Sequence, residues 1–288
     1  MAAPAPIVDA HVHFWDPRVL HYPWLSENPS LRRAFGPTDY DQLRAGAVSA
    51  AVVVEANCHP DETLDEVRFV EGIADTNPSI AGIVAYLDIG NSRKTSDTLE
   101  RLAERPRVVG VRHNIQGHAS GYCTTTAFAD AVRELGRRNL PFDLCITASQ
   151  LEDARALVAR CRDTSFVLDH CGKPAIRHND FATWAADLEL LAQHENVVCK
   201  LSGLLTEARD DQRSDGVILP YAEYALQCFG DSRMLYGSDW PVVTAAGGAA
   251  AWRAMVDRFT SAWSPSARQA FFADNAIRLY RLSLYGAS

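Results

Sequence analysis

Short apolar runs recur along the chain with room for one helix between successive runs. This alternation limits the fold more than any other feature. The runs cover about 7–13, 50–57, 80–87, 108–113, 142–146, 166–170, 197–202 and 233–238. Some, such as AAVVVEA and RVVGVR, are nearly unbroken, which suits strands of a parallel sheet buried on both faces. In the intervening DETLDEVRFVEGIADTN, Leu64, Val67, Val70 and Ile73 recur every three residues, with acids at the start. That is the pattern of a helix laid on a core. Similar stretches occupy about 95–105, 125–139, 149–162, 180–195 and 219–229, and two more follow the last run, at 249–262 and 265–280. Eight strand–helix units in 288 residues predict an α/β chain folded as a (β/α)8 TIM barrel. An open doubly wound sheet would show a glycine-rich turn after its first strand, and HVHFWDP stands there instead. No linker, repeat or low-complexity tract interrupts the pattern, so 1–288 reads as a single domain.

The ends of the apolar runs carry the chemistry. His11 and His13, two apart in IVDAHVHFWDP, point to one side of a strand. Strand 1 also offers Asp9, strand 2 Glu55 and Asn57, strand 4 Arg112 and His113, and strand 6 Asp169 and His170. Strand 7 offers Lys200 and Ser202, and strand 8 Asp239. In a barrel these ends meet at one mouth, and strand 8 closes against strand 1, so Asp239 is expected beside the two imidazoles. A lone polar residue at such a position is satisfied by backbone partners; six strands ending in charged or imidazole groups are harder to explain by packing. Lys200 is one of three lysines in the chain and follows an apolar run; a cation there must be paired or reach the mouth. Two long loops are expected over that mouth. One, at about 14–38, carries Phe14, Trp15, Tyr22, Trp24 and Phe35; the other, at about 204–218, carries TEARDDQRSDG.

Bulk properties exclude other classes. A net charge of −8 and a pI near 5.6 argue against nucleic acid, which needs clustered Lys and Arg. No apolar run approaches the roughly 18–20 residues of a membrane span, and MAAPAPIVDAHVH lacks the basic-then-apolar order of a signal peptide. Seven scattered cysteines without a CxxC suit reduced thiols in a cytoplasmic protein and speak against a cysteine zinc site. No G-x-S-x-G or H-E-x-x-H occurs, so neither a serine hydrolase nor a zincin is indicated.

With DAHVH at strand 1, LDHCGKP at strand 6, CKLSGL at strand 7 and YGSDWP at strand 8, the chain resembles the amidohydrolase superfamily in its amidohydrolase-2 branch. HVHFWDP, YPWL and GVRHNIQ add a likeness to the sugar-lactone hydrolases of that branch. The resemblance implies a barrel hydrolase in which Asp239 handles the proton of the attacking water. It also implies that His11, His13, His170 and Asp239 form one divalent metal site, for which zinc or manganese suits the donors. The fuller superfamily pattern has a bridging Lys or Glu on strand 4 and a His on strand 5. Here strand 4 offers Arg112 and His113, and PFDLCIT has no His, so two metals are not expected. Some lactonases of the branch work without metal, so zero or one ion is expected. Arg112, His113, Lys200, Trp15 and Trp24 are the candidate substrate contacts. Glu55 stands as an extra ligand, a substrate contact, or a salt-bridge partner of Lys200 or Arg112. The rival activities are a metal-dependent decarboxylase of an aromatic or muconic acid and a catalytically silent ligand-binding barrel. The expected partner is a small molecule; self-association stays open.

Overall fold

The computed structural model describes residues 5–44, 48–90 and 92–284. Eight strands pair in parallel and in chain order: β1 (Val8–Val12), β2 (Ala50–Val54), β3 (Ile80–Tyr86), β4 (Val108–Asn114), β5 (Phe142–Cys145), β6 (Phe166–Leu168), β7 (Val197–Leu201) and β8 (Met234–Tyr236). Just beyond β8 the chain returns to β1. Asp239 N–H donates to His11 O at 2.9 Å, and His13 N–H donates to Trp240 O at 2.7 Å. The helices are α1 (Pro37–Arg44), α2 (Thr63–Ala74), α3 (Ser92–Ala103), α4 (Thr126–Arg137), α5 (Leu151–Arg160), α6 (Phe181–Ala192), α7 (Asp215–Phe229), α8 (Ala249–Phe259), α9 (Pro265–Gln269) and α10 (Asn275–Tyr280). The last two are joined by a π-helical turn at Ala270–Asp274, so the expected helix at 265–280 is helical throughout. α1 closes the first long loop, where no apolar period marks it.

Two apolar layers hold the barrel. Val8, Ala10, Val52, Val54, Val84, Val167 and Leu235 cluster with Ala273, Ala276 and Tyr280 of the last helical segment. A larger cluster includes the helix faces, among them Val67, Val70, Leu157 and Leu188. Near β1 the alternation breaks. Asp9 pairs with Ala51 but Val12 with Val53, so two residues, Ala10 and His11, face a single position on β2. Such a bulge reverses which side chains face inward. Val12 therefore joins the outer cluster, while His11 and His13 turn toward groups from β6, β7 and β8. Asp9, expected at the mouth with them, instead accepts hydrogen bonds from Ser238 N–H at 2.8 Å and the Tyr40 hydroxyl at 2.9 Å.

Candidate active site

At the mouth, three imidazoles and one carboxylate converge. His11 Nε2 lies 3.2 Å from His13 Nε2. Asp239 Oδ1 is 3.8 Å from the first and 3.6 Å from the second. The His170 ring centroid is 4.5 Å from that of His11. Ligand atoms of His11, His170 and Asp239 all fall within 4.8 Å of one another. Neighbouring donors about 2.1 Å from one tetrahedral ion lie roughly 3.4 Å apart, close to the separations among His11, His13 and Asp239.

The opposite side of each ring is held from behind. His13 Nδ1–H donates to Val54 O at 2.9 Å, and His170 Nδ1 bonds Ser202 Oγ at 2.9 Å. His11 Nδ1 faces Asp169 Oδ1 at 3.3 Å. Lys200 Nζ is also 3.3 Å from that nitrogen. Two of its three donors go to carboxylates at 2.5 and 3.1 Å, so His11 Nδ1 sits between an ammonium and a carboxylate, each 3.3 Å away. His11 and His13 thus bring their Nε2 atoms together beside a carboxylate. Burial holds His11 and His170 well below the usual imidazole range despite nearby carboxylates, which keeps both rings neutral. Burial pushes the Asp239 carboxyl up, but His170, His13 and Lys173 outweigh it, and Asp239 ends below its ordinary value. Neutral imidazoles with engaged far nitrogens and an ionised carboxylate are the donor set that a divalent cation takes; the residues present fit one ion.

Strained backbone aims part of this cluster. His170, Cys171, Gly172 and Lys173 have φ of 54°, 52°, 72° and 49°, and Asp239 has φ of 57°. Left-handed conformations are costly for residues with a Cβ and gather at functional sites. The His170–Lys173 turn ends β6 at Leu168, two residues earlier than its apolar run suggests. It is tied down by the Trp184 indole N–H donating to Cys171 O at 2.8 Å.

The site opens into a cavity of about 170 Å³ lined by His13, His170, Asp239, Arg112, Asn57, Gln116, Lys173, Thr206, Cys145, Ala56, Trp15, Trp24 and Val242. A larger depression, about 530 Å³, lies against residues 17–23, Leu25, Ser26, Arg32 and Glu62 and contains none of the converging groups. Of the expected substrate contacts, Arg112, Trp15 and Trp24 line the cavity. Both indoles are also fastened: Trp15 N–H donates to Leu31 O at 3.2 Å and Trp24 N–H to Ala56 O at 2.7 Å.

Two expectations are corrected and one alternative is decided. Lys200 has no exposed surface and lies below the mouth, between Asp143 at 2.5 Å and Asp169 at 3.1 Å. Tyr280 approaches the same Asp143, its hydroxyl 3.0 Å from Oδ1. Lys200 therefore braces the carboxylate behind His11 and does not reach the cavity. His113 follows the inward Arg112 and so takes the opposite face of β4. Its Nδ1 faces Leu87 O at 2.9 Å, its Nε2 faces the Tyr122 hydroxyl at 3.0 Å, and it is not among the lining residues. Of the roles left open for Glu55, the structure shows the salt bridge to Arg112, with Oε1 2.5 Å from Nε; as a substrate contact it is corrected, since it does not line the cavity. Lys173, Gln116 and Asp143 were not singled out from the sequence. A trace of each was present: Lys173 follows His170 in HCGKP, Gln116 ends GVRHNIQ, and Asp143 is the one acid in PFDLC.

Fold and sequence together define the class. Residues 8–282 match the family model described as Amidohydrolase, and the chain belongs to that family. Among its relatives is the L-fucono-1,5-lactonase of Burkholderia multivorans, 34% identical over 291 residues that cover 96% of each protein. The L-fucono-1,5-lactonase of Burkholderia ambifaria is 32% identical, over 96% of this chain and 95% of its own. An amidohydrolase from Burkholderia multivorans, solved with bound zinc, superposes with a TM-score of 0.88 at 33% identity, covering 97% of this chain and all of that one.

Proposed function

We propose that the protein opens a sugar lactone, of 1,5 or 1,4 ring form, by attack of water at the ring ester. The observation that carries this reading is the Asp239 carboxylate set against the imidazoles of His11, His13 and His170 at a small cavity with an indole wall and a polar wall. The names of the similar Burkholderia enzymes support the same substrate class. Asp239 takes a proton from the attacking water and returns it to the departing ring oxygen, the usual task of a general base. One divalent ion, zinc or manganese, held by His11, His13, His170 and Asp239, would supply Lewis-acid polarisation of the ester carbonyl. Arg112, gripped by Glu55, gives one polar edge of the cavity a fixed positive charge, and Trp15 and Trp24 offer flat faces to the sugar's C–H surface. The donors and acceptors around the cavity suit a ring bearing several hydroxyls. With its cysteines unpaired, the protein is expected to work in the cytoplasm.

The test is a panel of aldono-1,4- and 1,5-lactones and aromatic acids given to purified protein. Acid release without carbon dioxide supports the reading. Gas evolution from an aromatic acid points to a decarboxylase, and saturable binding without turnover points to a silent barrel.

A further inference from the structure

Two cations line the cavity, and their surroundings differ. Arg112 is committed: Nε faces Glu55 Oε1 at 2.5 Å, Nη2 donates to Glu55 O at 2.7 Å, and Nη1 lies 3.4 Å from Asp169. Lys173 is not. Its Nζ donates to the neutral Gln116 Oε1 at 2.8 Å, and the nearest carboxylate, Glu207, is 4.0 Å away. Among the described residues, no second acceptor lies within hydrogen-bond distance, although an ammonium carries three donors. Gln116 is itself fixed, its amide N–H bonding Asn114 Oδ1 at 3.1 Å, so the Lys173 tip has a set position at the cavity wall.

The backbone supports the same assignment. Lys173 ends the left-handed turn that begins at His170, and its N–H returns to His170 O at 2.9 Å. One strained turn thus delivers an imidazole of the reacting cluster and an ammonium to the same cavity. Lys173 lines the same small cavity as His170 and Asp239, on the side where the ester would react.

We propose that Lys173 is a catalytic residue that donates a charge-assisted hydrogen bond to the ring oxygen of the lactone as the acyl–oxygen bond breaks. This role rests on the lactonase reading. The water oxygen bonds to the carbonyl carbon, that carbon's bond to the ring oxygen breaks, and the electron pair stays on the ring oxygen. The proton held by Asp239 completes the new hydroxyl. Lys173 keeps its own proton and stabilises negative charge while it develops, as donors do at other reacting oxygens.

The experiment compares wild type, Lys173→Met, Lys173→Gln and Lys173→Arg on an aldono-1,5-lactone that the wild type opens, with thermal unfolding as the check on folding. A donor used mainly in the transition state is worth about 10²–10³ in kcat. Lys173→Met and Lys173→Gln should lose about a hundredfold in kcat with KM within threefold, and Lys173→Arg should retain more. If Lys173→Met does not fold, Lys173→Gln carries the test. A kcat within threefold of wild type overturns the role while leaving the lactonase reading intact, as does a loss confined to KM. A wild type that opens no lactone of the panel overturns the lactonase reading, and this role with it.

Discussion

Replacing Lys200 with methionine separates its observed position from the one its sequence context suggests. The substitution keeps the length of the side chain and removes its charge. In the wild type, Lys200 Nζ lies 2.5 Å from Asp143 and 3.1 Å from Asp169, with no exposure on any partner. Removing one member of a buried pair costs about 3–5 kcal/mol, because the remaining charge is left without compensation. At about 2–4 °C per kcal/mol for a chain of this size class, the thermal midpoint should fall by roughly 6–20 °C. The deficit should depend on pH. Burial already pushes Asp143 up to about 6 against the pull of Lys200, and without the lysine it rises further. A carboxyl raised in the folded state loses stability as pH climbs through its unfolded value toward its folded one. The gap between variant and wild type should therefore be small near pH 4–5 and widen toward pH 8. Adding Asp143→Asn should recover part of the loss. Circular dichroism melts at pH 5 and pH 8 provide the measurement. A variant with an unchanged midpoint that loses substrate binding instead would refute the buried position and return Lys200 to the mouth.

Other outcomes follow from neighbouring features. Glu66, whose carboxyl accepts from Ala56 N–H at 3.0 Å, is pushed up to about 8 by burial and by Glu55. Its ionisation should cost stability between about pH 4.5 and 8, so Glu66→Gln should melt higher than wild type at pH 8 and near it at pH 5; equal midpoints at both would contradict this. Elemental analysis of protein purified without chelator should find about one equivalent of zinc or manganese per chain, and His170→Ala should lower it. Two equivalents would contradict the single-site reading.

The barrel was legible because parallel strands buried on both faces announce themselves as apolar runs, and because their order fixes which ends meet. That order brings the ends of strands 1, 6 and 8 to one mouth, and the resemblance to the amidohydrolase branch singled out His11, His13, His170 and Asp239 among the polar residues there. His113 was mislocated although the sequence held a signal: it is adjacent to Arg112, and neighbours on a strand face opposite ways. The depth of Lys200 carried no such signal. It depends on Asp143 and Asp169, which come from two other strands, and on Tyr280, which reaches Asp143 from the last helix. The bulge that separates Asp9 from His11 arises from pairing with β2 and has no local mark in VDAHV. Lys173 was hidden for a related reason: an apolar run does not reveal that the chain will leave the strand in a left-handed turn.

The central claim is that Asp239 is the base. Asp239→Asn tests it most directly, because asparagine tolerates the left-handed backbone at this position and keeps the shape but cannot take a proton. General bases contribute about 10²–10⁴ in rate. On the lactone that wild type opens, the variant should lose at least about two orders of magnitude in turnover with little change in thermal midpoint. A folded Asp239→Asn that keeps more than about a tenth of wild-type turnover would contradict the account, since a general base is worth at least about a hundredfold.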